Sequence, residues 1–188
     1  FRRVLFRSTV AFVYLAGHGL QLEGENYYIP VDARIERDLD IPLRALRISD
    51  YIRPLGGLKT KGVIVVLDAA RETPFKVSGQ ALAGGLALVE PAPGTLVAFN
   101  ASPGTIASPA EPPYGAYAQA LAEMMREGGI GMEDVLARVR MRVNQRTNGA
   151  EVPWFTAQLT DKVMLFDRAP EPAAAADRKS TRLNSSHS

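Results

Sequence analysis

What most constrains this chain is a set of three short apolar runs rich in β-branched and aromatic residues, separated by long polar stretches. Thr9 to Gly17 reads TVAFVYLAG, Val63 to Leu67 reads VIVVL and Thr95 to Phe99 reads TLVAF. None alternates apolar with polar residues. Each therefore reads as a strand buried on both faces, as in a parallel sheet covered by helices. A shorter run, Val163 to Phe166, reads as a fourth strand.

Helical patterns lie between and after these runs. Ser49 reads as the N-cap of a short helix carrying Ile52 and Leu55 and stopped by Gly56-Gly57. Tyr114 to Arg126 places Tyr117, Leu121 and Met124 or Met125 on one face. Met132 to Arg146 does the same with Met132, Val135, Leu136, Val139 and Val143. Glu133 and Asp134 open that helix and arginines close it, which suits the helix dipole. Its arginines read as a solvated face. Strands alternating with helices predict an α/β layered domain with a mostly parallel sheet.

The 188 residues suffice for one domain with a sizeable core. No stretch approaches the ~20 continuous apolar residues of a membrane span. The net charge of +2 is carried by the two ends. Residues 1–8 hold three arginines, for +3, and residues 177–188 contribute a net +2, which leaves −3 for everything between. Neither end continues its neighbour's periodicity, and both read as non-native, adapter-like sequence, outside a domain at 9–168 and an Ala/Pro linker at 169–176. A mildly acidic middle gives no electrostatic basis for nucleic-acid binding. The absence of cysteine removes disulfides, thiolate metal sites and any thiol nucleophile.

In open α/β sheets, ligands bind beyond the carboxyl ends of the strands. Three strand ends here are chemically distinctive: Ala16-Gly17-His18-Gly19, Asp68-Ala69-Ala70-Arg71 and Asn100-Ala101-Ser102-Pro103-Gly104. Parallel strands put all three on one rim. His18, between two glycines, can act as base, ligand or hydrogen-bond partner; the plainer alternative is a turn histidine held by local carbonyls. Other motifs fail. Leu22 stands at the third glycine position of a dinucleotide fingerprint begun by Gly17. Pro103 defeats a nucleophile elbow at Ser102, because the next residue must supply an N–H. One histidine and scattered acids do not make a zinc site.

In order, YLAGHG, GENYYIPVDA, VIVVLDAARETPF, LVAFNASPGTIA and VPWFTAQL resemble the motif set of bacterial caspase-like domains, the caspase and metacaspase cysteine peptidases. The likeness runs from about Val10 to Phe166. It implies a three-layer caspase-like fold. It also implies an N-terminally truncated domain, because the family has further strand–helix units before the histidine-bearing strand.

The family works through a His–Cys dyad. His18 matches its histidine, and the cysteine position of the Asp-Ala-Cys-Arg motif is Ala70. A methyl group cannot replace a thiolate nucleophile. Ser78 and Ser102 have no motif support as substitutes. Gly19 matches a glycine whose N–H, with that of residue 70, resembles an oxyanion hole. Asp68 matches an acid that forms a pocket for a basic side chain in metacaspase-type members, or else it caps the turn after its strand. Asp32 is expected to brace the loop behind the site. Trp154 is expected in the core or, second, in a groove wall. The calcium used by some members would need an acidic cluster that the sequence does not display, so no metal or other cofactor is expected.

Three readings follow. The chain is an inactive module binding a peptide or protein; or it is a cysteine endopeptidase cleaving after basic residues, seen with its nucleophile replaced; or it is a plain interaction domain of a longer multidomain chain.

Overall fold

The computed structural model describes residues 9–109 and 114–166. The head 1–8, the linker 169–176 and the tail 177–188 lie outside the described residues. Among the described residues, seven strands form two sheets, with four α-helices around them. The main sheet has β1 (Val10–Ala16), β5 (Gly62–Asp68), β6 (Thr95–Phe99) and β7 (Trp154–Ala157), in that spatial order. β1, β5 and β6 are parallel, and β7 closes the sheet antiparallel to β6. This is the layered, mostly parallel sheet that the apolar runs predict.

Two helical layers cover it. Ile64, Val66, Leu96 and Ala98 pack against α3 (Ala116–Glu127) and α4 (Met132–Arg146). Val63, Val65, Leu67, Val97 and Phe99 pack the other way, onto Ile48 and Ile52 of α2 (Ile48–Leu55) and onto Leu86. Alternate residues of β5 thus serve opposite layers, which explains why the run contains no polar position before Asp68.

The second sheet is antiparallel: β2 (His18–Leu22), β3 (Glu25–Ile29) and β4 (Leu46–Arg47). Glu23 and Gly24 join β2 to β3, both with positive φ, the twist-matched two-residue hairpin. A short helix α1 (Ile41–Arg44) precedes β4, and Ile41 packs with Leu20, Tyr27, Ile29 and Ile35 under this sheet.

Three expectations are corrected. β1 is not buried on both faces: among the described residues it pairs only with β5, and Phe12 and Tyr14 are 39 % and 38 % exposed. The fourth strand is Trp154–Ala157 and not Val163 to Phe166. Val163 is buried, but as a plug over Gly62, while Met164 and Phe166 are exposed. Ser49 lies inside α2, where its Oγ donates to Glu25 at 2.9 Å instead of capping the helix. α4 runs over the residues expected, and its Arg142 and Arg146 pair with Glu123 of α3.

Candidate functional site at the strand ends

The parallel register carries β1 and β5 to the same level, with Ala16 opposite Asp68. The pairing then continues past the strands. The Gly17 N–H donates to the Asp68 carbonyl at 3.2 Å, and the Gly19 N–H to the Ala69 carbonyl at 2.7 Å. From the other side, the Asn100 N–H donates to the Leu67 carbonyl, and Asn100 Oδ1 accepts the Ala70 N–H at 3.0 Å. The Ala107 N–H donates to the Ala70 carbonyl at 2.8 Å. All three distinctive strand ends are therefore laced together on one rim.

Two of these bonds alter the expected chemistry. Gly19 and Ala70 were expected to offer N–H groups to a substrate. Each instead donates to a protein oxygen: the Gly19 N–H to the Ala69 carbonyl, because the ladder runs beyond the last strand pair, and the Ala70 N–H to the Asn100 side chain. A side chain at residue 19 would also meet Leu86 at 2.9 Å. Leu86 and Ala70 are both 1 % exposed and belong to one apolar cluster. The two members of the expected dyad thus differ: His18 stands exposed at the start of β2, and the Ala70 methyl is buried.

Asp68 is the chemical centre of the rim. Its carboxylate is buried, and among the described residues its partners are side chains and not the N–H groups of a turn. Tyr14 Oη donates to Oδ2 at 2.7 Å, and Arg71 pairs with Oδ1 at 2.9 Å. A carboxylate out of water needs such partners. Burial and the bond to Asp68 push the Tyr14 hydroxyl well above the ordinary phenol range, so it stays a donor.

A cavity of about 320 Å³ opens beside this pair, lined among others by Asp68, Arg71, Asn100, Tyr117, Arg146 and Glu151. Glu151 is buried, which raises its carboxyl pKa against the opposing effect of Ser108 and Arg71. The Tyr117 hydroxyl is buried with no hydrogen-bond partner among the described residues, and burial raises its pKa. His18 does not line this cavity.

Tyr14 opens the YLAGHG motif and Tyr117 lies on the expected apolar helix face, but neither was singled out for the site, and Glu151 carried no motif. The remaining expected residues lie elsewhere. Asp32 is exposed in a shallow hollow with Arg34 and Arg37, so it does not brace the site from behind. Trp154 is 37 % exposed, which corrects the expectation of core: it sits on the edge strand with the Arg140 guanidinium 5.0 Å from its ring centroid. Ser102 Oγ donates to the Val152 carbonyl and Ser78 Oγ to the Glu36 carbonyl, so both hydroxyls hold loops. Among the described residues no group of three or more His, Asp or Glu is placed to hold a metal, and no helix is long and apolar enough to cross a membrane.

A search of curated proteins finds no match. Among solved structures, the crystal structure of caspase-1 from Spodoptera frugiperda is 18 % identical, with 64 % of this chain and 69 % of that chain covered and a TM-score of 0.37. The sequence model of the caspase domain matches residues 7–164, which takes in both sheets, every helix and the whole rim. With most of its length matched in this way, the chain belongs to the caspase-domain family.

Proposed function

We propose that this chain is a catalytically inactive caspase-like domain, which uses the rim at Asp68 to bind a peptide or protein segment through a basic side chain. The observation that carries the reading is Ala70. It stands where the resemblance places the nucleophilic cysteine, and the chain has no other cysteine to supply a thiolate. Asp68 and Glu151 support the basic ligand, because both carboxyl groups line one cavity.

The expected result is no hydrolysis of Arg- or Lys-containing peptides by the purified chain. Removing the nucleophile of a catalytic unit costs on the order of 10⁶ in kcat in the subtilisin case. Turnover that disappears in His18→Ala would overturn the proposal. Ala70→Cys tests the alternative of a peptidase whose nucleophile has been replaced. Cleavage after basic residues by that variant would identify the activity, and an alkylatable but inert thiol would mean that more than the nucleophile is gone.

A further inference from the structure

The cation seat at Asp68 is already taken. Asp68 Oδ2 is held by Tyr14 from β1, and Oδ1 by the Arg71 guanidinium. The two members of this ion pair differ in exposure. The Asp68 side chain is 4 % exposed, whereas that of Arg71 is 22 % exposed and borders the cavity. Arg71 also lies in an irregular segment. Its backbone is fixed by its own N–H on the Ala69 carbonyl, a bond that the side chain can leave without breaking.

We infer that Arg71 is a built-in competitor, whose guanidinium occupies the position that a ligand's basic side chain must take and is displaced when ligand binds. This inference rests on the reading of the cavity as a site for basic side chains. Displacement exchanges one guanidinium–carboxylate pair for another. The ligand therefore gains little net charge pairing, while the released Arg71 regains its hydration. Binding by the parent chain is weak for that reason, and it strengthens with anything that draws Arg71 away.

The test is calorimetric titration of the full chain with acetyl-Arg-Ala-amide and with the same peptide carrying norleucine in place of arginine. The chains are the parent, Arg71→Ala, Arg71→Gln and Asp68→Asn. Arg71→Gln keeps a neutral donor for Asp68 and so protects the fold. At least tenfold tighter binding of the arginine peptide by both Arg71 variants, with no gain for norleucine and loss in Asp68→Asn, is the expected result. Equal or weaker binding by the Arg71 variants, with Asp68→Asn still impaired, overturns the competitor and leaves the basic-ligand reading standing. Failure of every chain to distinguish arginine from norleucine overturns both. If both Arg71 variants lose their cooperative melt, Arg71 is a fixed counter-ion and the displacement is wrong.

Discussion

β1 and β5 lie side by side, in parallel and in register from Val10 opposite Gly62 to Ala16 opposite Asp68, and both end at the same rim. Their sequences look alike, yet every residue of β5 is buried, while β1 leaves Phe12, Tyr14 and Ala16 exposed. An apolar run therefore specifies a strand without specifying its place in the sheet. The open position has a use. Tyr14 is amphipathic, and at a sealed position its hydroxyl would have to be satisfied inside the core. On the half-open strand its ring covers the sheet and its oxygen reaches Asp68 at 2.7 Å.

The sharpest way to break this contrast is truncation on both strands. Leu67→Ala in β5 should cost about 2–5 kcal/mol, as for other fully buried leucines. Phe12→Ala in β1 should cost about 1 kcal/mol, in the range of ordinary substitutions. Urea unfolding measures both, and equal losses would mean that β1 is as deeply packed as its neighbour.

A smaller effect separates exposure from role. Tyr14→Phe keeps the ring and removes the donor from a buried carboxylate, which should cost about 1–3 kcal/mol. If the variant melts with the parent, Tyr14 is merely another exposed residue of β1, and the link between the open strand and the rim dissolves.

The smallest effect concerns pH. Burial raises the Glu151 carboxyl, so between its unfolded and folded pKa values the folded chain holds a proton that the unfolded chain has released. Stability then falls as pH rises through that window, from about pH 4 upward. Glu151→Gln should flatten that slope and gain on the parent above the window. An unchanged slope would show the cavity side of the rim to be as wet as β1.

Much of the fold was legible because burial on one helix face or both strand faces leaves a periodic trace, as in Met132–Arg146 and the runs that became β5 and β6. The hairpin β2–β3 left none. Its turn uses Glu23 at positive φ, a conformation that glutamate seldom signals. Val163 misled because burial as a plug and burial in a strand call for the same residue type. At the site, His18, Asp68 and Ala70 stood in recognisable strand-end motifs. Tyr117 showed only the helical period of a core residue and Glu151 no pattern at all, since helix packing and a distant loop bring them to the cavity. The partners of the Gly19 and Ala70 N–H groups were equally invisible, because the first is set by strand register and the second by an asparagine thirty residues away.

Gly17 alone separates β1 from β2, and the Tyr28 hydroxyl donates to the Ala16 carbonyl at 2.7 Å just before it. A Cβ at residue 17 would lie 2.7 Å from that same hydroxyl oxygen. The hairpin is thus riveted to the strand it continues, with no slack in the joint. A force applied to the tip at Glu23-Gly24 would travel down the hairpin as along a stiff lever and arrive at His18 and the main sheet together. Whatever presses on that distant tip therefore presses on the rim.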